Sequence, residues 1–360
     1  MGNNNKKIKI GNSIIGSGHP IYFIADIAAN HDGKLERAKE LIKIAKESGA
    51  NAVKFQHHDV KKYVSDKGFK KLGGKFSHQN NWDKTIYQVY KDAEVPMDWT
   101  KELKVYCKEV DIDFFSTPYD LDMVEHLDKY VPAYKIGSGD IAWDMMLEKV
   151  ASKGKPVFFA TGAASIEEVI HAHSIISKSN HQLILMQCNT NYTGAMENFQ
   201  YINLNVLKTY SVLFPNTILG LSDHTPGHET VLGSIALGAK VIEKHFTDDT
   251  SRPGPDHPFS MDPNTWGAMV KSSRLLEASL GSAIKKPEKN ELETIILQRR
   301  AVRAVRNINA GEKLNREMVE FQRPCPINAM KPNQFNEYFN KELSKEIKEG
   351  NFLKMSDFKS

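Results

Sequence analysis

Eight short apolar runs recur at fairly even spacing between residues 21 and 246, and segments with helical spacing separate them. An apolar run, a helix and a second apolar run form a βαβ unit, whose crossover makes the two strands parallel. This repetition predicts a (β/α)8 TIM barrel over residues 1–285. A doubly wound sheet is the alternative, but no GxGxxG motif follows the first run. The runs are IYFIADI (21–27), NAVKFQ (51–56), DFFSTP (113–118), AYKIGS (133–138), PVFFAT (156–161), QLILMQC (182–188), TILGLSD (217–223) and KVIEKHF (240–246).

The connection formed by residues 57–98 is much longer than the others. Loops beyond about 15 residues in a compact domain are usually functional or disordered. Because this one follows a barrel strand, we expect it to lie over the catalytic face and to act as a lid. A shorter connection, residues 35–50, has the spacing of an amphipathic helix, with an apolar face at Leu35, Ala38, Leu41, Ile42 and Ala45.

The two ends of the chain differ from the barrel region in composition. Residues 6–16 alternate weakly between polar and apolar types and predict a short hairpin. Residues 286–299 are highly charged and predict a linker that includes a helix. Residues 300–360 contain short β-like runs with turn signals, which predicts a small β-rich domain. About 60 residues bury little surface on their own, so this domain should need a partner surface.

Composition excludes several classes of function. The 48 basic and 44 acidic residues give a net charge of only +4, which is too balanced for a nucleic-acid-binding protein. The three cysteines lie far apart without a CxxC motif, which favours a reducing compartment and argues against disulfides or a zinc cluster. The sequence has no apolar run of about 18 residues and no apolar leader, so we expect a cytoplasmic protein without a membrane span.

Two histidines follow neighbouring apolar runs at matching positions. His224 comes just past the end of the seventh run, and His245 lies near the end of the eighth. In a parallel barrel both side chains reach the same mouth, beside Asp223 and Glu243, and two converging imidazoles with nearby carboxylates suit a divalent metal. The alternative is that each is an ordinary structural histidine with a hydrogen-bond partner.

Lysines at the ends of two other apolar runs predict an anion site. An unpaired buried ammonium is costly, so Lys54 and Lys135 require an anionic partner. Together with nearby hydroxyls and an amide, they suit a phosphate group plus a carboxylate. The alternative is that the lysines form buried ion pairs with Asp26, Asp140 or Glu243. The neutral donors are Thr117, Ser138, Asn189 and Ser222.

Carboxylates near strand ends are candidates for proton transfer. Asp26 and Asp140 are the candidate acid–base pair. Asp140 is also a candidate N-cap for the helix that follows it. The loop SRPGPDHPFSMDP (251–263) brings Arg252, Asp256 and His257 toward the same mouth.

A series of phrases in this order resembles the sialic acid synthase family, the NeuB-like nonulosonate synthases. The resemblance covers most of residues 20–262. The tail RRAVRAVRNINAGEKL resembles the start of the antifreeze-like (SAF) domain of that family. The phrases are ADIAANHDG, VKFQ, FFSTP, YKIGSGD, ATGAAS, CNTNYT, GLSDHT, EKHFT and RPGPDHPFS.

The resemblance implies a reaction. Phosphoenolpyruvate condenses with the open-chain aldehyde of an N-acylated hexosamine, and a nine-carbon 2-keto-3-deoxy acid and phosphate are formed. By position, the resemblance implies that His224 and His245 bind a metal, usually Mn²⁺, with Mg²⁺ or Co²⁺ possible. It implies phosphoenolpyruvate contacts at Lys54, Thr117, Lys135, Ser138, Asn189 and Ser222, and sugar or acid–base roles at Asp26, Asp140, Tyr192 and Asp256.

The resemblance also implies a domain-swapped homodimer in which Arg300 enters the barrel of the partner. Some positions depart from the family pattern. Asp26 and Asp140 stand where the family usually has Glu, Cys325 stands where it usually has Gly, and the 57–98 connection differs from that of typical members. These departures affect the identity of the sugar more than the reaction.

Three other functions compete with this one. A related synthase would use phosphoenolpyruvate with a phosphorylated aldose, but only Arg252 offers an obvious second anion site. A barrel isomerase or nuclease would need more metal-binding carboxylates and histidines. A sugar- or partner-binding protein without activity would leave the strand-end lysines unexplained.

Overall fold

The computed structural model describes residues 6–73 and 77–359. The chain divides into two compact units, Met1–Gly281 and Ser282–Ser360. Within the described residues, no helix combines the length and apolar character needed to cross a membrane.

The first unit is a closed parallel barrel of eight strands, which confirms the predicted fold. Each predicted apolar run forms one strand, and β10 pairs with both β9 and β3, so the sheet has no free edge. A two-stranded hairpin precedes the barrel, as predicted. The strands are β1 Lys7–Ile10, β2 Ser13–Gly16, β3 Tyr22–Asp26, β4 Ala52–His57, β5 Asp113–Pro118, β6 Tyr134–Ile136, β7 Val157–Ala160, β8 Leu183–Cys188, β9 Ile218–Asp223 and β10 Val241–His245.

Helices return the chain between strands and cover the outside of the barrel. The helix predicted from residues 35–50 forms as Leu35–Glu47, and its apolar face is buried where expected. It ends before Gly49, whose φ of 96° favours glycine. The helices of this unit are α1 Leu35–Glu47, α2 Val60–Tyr63, α3 Asp66–Lys71, α4 Ile86–Asp92, α5 Met97–Glu109, α6 Leu121–Asp128, α7 Asp144–Ala151, α8 Ile166–Ser177, α9 Val206–Leu213, α10 Glu229–Ala236 and α11 Pro263–Leu280.

The β1–β2 hairpin lies against the N-terminal end of the barrel. Ile8, Ile10 and Ile15 are buried in the same apolar core as the barrel strands. A Cβ on Gly11 would fall 2.0 Å from Oδ1 of Asp113, the first residue of β5. The hairpin therefore packs at the end of the barrel opposite the strand C-termini.

The long 57–98 connection has helical structure and, as expected, contributes side chains to the cavity at the strand C-termini. It contains α2, α3, α4 and a 3-10 helix, Ser77–Asn81. Val60, Val64 and Ile86 form a small apolar core of their own, with aromatic side chains packed around it. The lid motion remains a prediction.

The second unit contains a helix followed by a small domain built on a hairpin. The helix α12 Leu292–Gln298 and a 3-10 helix, Lys289–Glu291, lie within the stretch predicted as a charged linker. Strands β11 Ala301–Ala304 and β12 Val319–Gln322 pair antiparallel, and isolated bridges extend the β structure. A separate apolar core, which includes Val302, Ile308 and Leu353, holds this domain together. A short helix, α13 Phe335–Tyr338, completes it.

Candidate active site

A cavity of ≈ 150 Å³ opens at the C-terminal ends of the barrel strands, where a barrel presents its functional groups. A wider chamber of ≈ 920 Å³ shares several of its wall residues and lies further out. The structure brings most of the predicted site residues together in the inner cavity. They are Asp26, Lys54, Thr117, Lys135, Ser138, Tyr192, Ser222, His224, His245 and Asp256.

The two predicted lysines meet at the floor of the cavity and form ion pairs with carboxylates. Lys135 Nζ lies 2.6 Å from Glu243 Oε1, and Lys54 Nζ lies 2.7 Å from Asp26 Oδ2. Lys54 Nζ also lies 3.8 Å from Glu243 Oε1. Burial alone would lower the pKa of Lys54, but Asp26 and Glu243 raise it above its ordinary value. Lys54 is therefore charged, and the alternative of buried ion pairs is confirmed for Asp26 and Glu243.

Glu243 is a site residue that the list of predicted ligands did not include. Its Oε1 accepts hydrogen bonds from Lys135 and, at 3.3 Å, from Ser222 Oγ. Its Oε2 is buried and has no hydrogen-bond partner among the described residues. Lys135 and Ser222, which donate to Glu243, are the donors that a phosphate or carboxylate oxygen of a ligand would use. The available signal was strand periodicity, because Glu243 and His245 are two residues apart and share a face of β10.

Asp26 connects the lysine end of the cavity to the histidines. Its Oδ2 accepts from Lys54 and, at 3.1 Å, from Gln56 Nε2, and it lies 3.6 Å from Nε2 of His245. Burial would raise the pKa of Asp26, but the charge on Lys54, 2.7 Å away, lowers it below its ordinary value. Asp26 is therefore an ionised carboxylate placed between the two halves of the site.

The two predicted histidines lie side by side, with ring centroids 5.4 Å apart. His224 Nδ1 lies 2.8 Å from the carbonyl oxygen of Asn189, so this nitrogen carries the proton and Nε2 keeps its lone pair. Burial, followed by the neighbouring His245, lowers the pKa of His224 to about 3, so its ring is neutral. His245 Nδ1 is buried, has no hydrogen-bond partner among the residues that the structure describes, and lies 3.9 Å from Asp256 Oδ2.

These features fit a divalent cation. A neutral imidazole with an oriented second nitrogen is the form that binds metals, and an unpartnered buried ring nitrogen needs a ligand. Within the described residues no ready-made group of three or more His, Cys, Asp or Glu ligands exists. The histidine pair would therefore supply part of the coordination, and oxygens of water and substrate would supply the rest.

A backbone N–H fixes one hydroxyl group at the lysine end of the cavity. The Gly162 N–H donates to Ser138 Oγ at 2.9 Å. A Cβ at Gly162 would lie 2.5 Å from Thr190 Cγ2 and 2.9 Å from Ser138 Oγ, so only glycine permits this approach. Cys188 also lines the cavity, and burial raises the pKa of its thiol to about 11, so it stays protonated.

Three predicted residues have other contacts. Asn189 turns its side chain toward the carbonyl of Tyr201 and supports His224 through its own carbonyl instead. Asp140 is absent from the lining, and burial raises its pKa to about 6. The prediction that Asp140 caps the next helix is wrong, because α7 begins at Asp144 after Trp143. Arg300 belongs to the second unit, where its Nη1 donates to the carbonyl of Phe321.

Aromatic side chains of the 57–98 segment form one wall, which the sequence analysis did not identify. Tyr63 stacks on Tyr119 with ring centroids 4.4 Å apart and meets Tyr90 edge-on at 5.4 Å. His78 meets Tyr192 at 5.2 Å, and Tyr192 meets His224 at 4.3 Å. This aromatic wall runs from the 57–98 segment to the histidine pair.

The outer chamber has no cation without a carboxylate partner among its described lining residues. Arg252 is held by Asp248, with Nη2 to Oδ2 at 2.6 Å, and Lys84 Nζ lies 2.6 Å from Asp92 Oδ2. His257, also predicted to reach the site, is buried between Thr247 and Asp32. To provide the second anion site that the sequence left open, Arg252 would have to exchange Asp248 for a ligand anion.

Comparisons with known proteins agree with this arrangement. The NeuB family model matches residues 41–285, and the SAF domain model matches residues 299–359. The chain is 33% identical over 335 residues to the N,N'-diacetyllegionaminic acid synthase of Campylobacter jejuni, covering 92% of this chain and 98% of that protein. It is 35% identical over 272 residues to the human N-acetylneuraminate-9-phosphate synthase, covering 75% and 74%.

A solved structure extends the likeness to three dimensions. The N-acetylneuraminic acid synthetase of Leptospira borgpetersenii, in complex with citrate, aligns with a TM-score of 0.70 at 30% identity, covering 81% of this chain and 95% of that one. Sequence relatives, structural similarity and the geometry of the cavity lead to the same assignment. The chain belongs to the NeuB family of synthases and carries a C-terminal SAF domain.

Proposed function

We propose that this enzyme condenses phosphoenolpyruvate with an unphosphorylated, N-acetylated hexosamine and releases phosphate. The acceptor is N-acetylmannosamine or a diamino-dideoxy relative, and the product is sialic acid or a related nine-carbon nonulosonate. One observation carries the proposal. Two buried lysines and a pair of histidines line one cavity, with the carboxylate of Asp26 between them.

The lysine end of the cavity suits phosphoenolpyruvate. In this proposal Lys54, Lys135 and Ser222 bind the phosphate and carboxylate oxygens, and those oxygens replace Glu243 as acceptors. C3 of phosphoenolpyruvate attacks the aldehyde carbon of the sugar, positive character develops at C2, water adds there, and phosphate leaves by C–O cleavage. Asp26 is held ionised beside Lys54, so it is the candidate base for the water proton.

The histidine end suits the aldehyde of the acceptor. His224 and His245 would hold a divalent cation, Mn²⁺ in our proposal, with Mg²⁺ and Co²⁺ as alternatives. Such a cation acts as a Lewis acid that polarises the aldehyde oxygen. Asp256, fixed by the N–H of Ala29 at 3.1 Å, would orient hydroxyl groups of the sugar. For Asp140 the proton-transfer role remains a prediction.

The charge of the outer chamber favours an acceptor without a phosphate. Its basic residues, Lys84 and Arg252, already have carboxylate partners in Asp92 and Asp248. A sugar phosphate would have to compete with Asp92 or Asp248 for a cation. The aromatic wall instead suits the C–H faces and acyl methyl groups of an N-acylated sugar.

An acceptor panel tests the function directly. With phosphoenolpyruvate and Mn²⁺, we expect phosphate release with N-acetylmannosamine or with a 2,4-diacetamido-trideoxyhexose. We expect little release with N-acetylmannosamine 6-phosphate, arabinose 5-phosphate or erythrose 4-phosphate. Product mass distinguishes condensation from hydrolysis of phosphoenolpyruvate. Turnover of a sugar phosphate alone would support the alternative, a synthase that acts on a phosphorylated aldose.

We also propose a domain-swapped homodimer in the cytoplasm. The three cysteines are buried and free, which is compatible with a reducing compartment. In the proposed domain-swapped dimer, Arg300 of the SAF domain of one subunit enters the barrel of the other subunit. The Arg300 side chain is exposed within its own unit and has one hydrogen bond there, to a carbonyl.

Mixed dimers test the exchange. A chain with Arg300→Ala has an intact barrel, and a chain with His224→Ala has an intact arginine. If Arg300 acts in the partner subunit, a mixed dimer has one complete site and one doubly defective site. We therefore expect coexpressed, differently tagged chains purified as heterodimers to recover a substantial part of wild-type phosphate release. Heterodimers that stay as inactive as either parent would contradict the exchange.

A further inference from the structure

The mouth of the barrel depends on a second pair of residues, on the outer face of the same two strands. Asp223 and Lys244 lie directly opposite each other in the register of β9 and β10. Each immediately precedes one of the two histidines. Because side chains alternate along a strand, Glu243 and His245 face the cavity while Lys244 faces the surrounding helices.

The contacts of this pair reach the loop that carries His224. Lys244 Nζ lies 2.5 Å from Asp223 Oδ2 and donates to the carbonyl of Thr225 at 2.6 Å. Asp223 Oδ2 accepts from Thr230 Oγ1 at 2.7 Å, in the first turn of α10, and both of its oxygens accept from Thr225 Oγ1. The pair thus ties β9, β10, α10 and the chain on the C-terminal side of His224 into one unit.

Stability alone explains this pair poorly. Both side chains are about 1% exposed, in a layer between strands and helices that barrels usually fill with apolar residues. Desolvating two charges offsets most of their attraction, and apolar residues of similar volume are often as stable or more stable. A buried pair does, however, impose a defined geometry on the groups that it joins.

We infer that the Asp223–Lys244 ion pair is a positioning device, which sets the separation and orientation of His224 and His245 from behind the sheet. The inference rests on the proposed function only in one measurement, the binding of Mn²⁺, because that measurement assumes that the histidines hold a cation. The two residues touch neither the cavity nor a substrate in this assignment. They act through the neighbouring backbone.

The test compares variants that separate geometry from stability. The double variant Asp223→Asn with Lys244→Met removes both charges, leaves none uncompensated and keeps side chains of similar size. Tyr22→Phe is the matched control, because it deletes a buried hydrogen bond of 2.7 Å to Asp113 at the other end of the barrel. Thermal unfolding, Mn²⁺ binding by electron paramagnetic resonance and imidazole ¹⁵N NMR are measured on full-length protein without substrate.

We expect the unfolding temperature of the double variant to lie within a few degrees of that of the wild type. We expect its Mn²⁺ affinity to be about 10- to 100-fold lower, which is the usual effect of losing a residue that supports a metal ligand. We also expect shifted ¹⁵N signals for His224 and His245. Tyr22→Phe should leave both readouts unchanged. Unaltered imidazole signals and Mn²⁺ affinity in the double variant, or equal changes in the control, would overturn the inference. If the wild type binds no Mn²⁺, the proposal of a bound metal fails. The imidazole signals of the double variant then still decide whether the Asp223–Lys244 pair positions the two histidines.

Discussion

Replacing either His224 or His245 with alanine should abolish phosphate release while the protein remains folded. Each imidazole lies at the mouth of the barrel rather than in its apolar core, so its loss creates no large internal cavity. Each also supplies one of the two ring nitrogens proposed to hold the cation. We expect both variants to keep the wild-type circular dichroism spectrum and to lose Mn²⁺ binding measured by electron paramagnetic resonance.

A third histidine provides the control for that experiment. His171 lies on the exposed surface of α8, with Nε2 3.0 Å from Asp144 Oδ1. His171→Ala removes an imidazole and an ion pair without touching the cavity, so full activity is expected. Full activity of His224→Ala or His245→Ala in metal-free buffer would refute the proposed role of the pair.

The second large effect should come from Lys135→Met. This change removes the ammonium that contacts Glu243 at 2.6 Å and that is proposed to bind phosphoenolpyruvate. We expect binding of phosphoenolpyruvate, measured by calorimetry, to weaken by about 2–4 kcal/mol, as for other buried charge-assisted contacts. Since Glu243 would then be a buried carboxylate without its main partner, the variant should also be less stable.

A second substitution separates these two effects. Adding Glu243→Gln to Lys135→Met removes the uncompensated charge, so stability should recover while affinity for phosphoenolpyruvate stays low. Recovery of affinity along with stability would mean that Lys135 serves only as the counter-ion of Glu243. Lys149→Met is the matched control, because Lys149 also pairs with a glutamate, Glu125, but on the surface, where such pairs contribute little.

The barrel could be predicted from the sequence because its strands are buried on both faces. All residues of β8 and β9 are buried, so these strands appear as continuous apolar runs that polar positions do not interrupt. A polar residue inside or just after such a run then stands out, which is why Lys54, within β4, and His224, just after β9, could be identified before any geometry was known. Parallel topology brings strand ends together, so position along a strand predicts position in the site.

The 57–98 segment and the pairing within the site could not be predicted in the same way. Short helices such as α2 and α3 bury few residues, so their apolar periodicity is too brief to separate from a loop. The partner of each lysine depends on which side chains face each other across the barrel, and Glu243 reaches Lys135 from a strand 108 positions away. For Asp140, the sequence fits a helix cap well, but Asp140 ends a 3-10 turn, Ser138–Asp140, and residues 141–143 separate it from α7.

The hairpin at the base of the barrel has a kinetic consequence. Side chains fill the interior of the barrel and β1 and β2 pack against its N-terminal end, so among the described residues the inner cavity opens at the strand C-termini, toward the outer chamber. If the proposed function holds, the ligand on the lysine floor must arrive before the one that fills the outer chamber. We therefore expect sequential binding and inhibition by excess acceptor, because a bound acceptor blocks the path of its co-substrate.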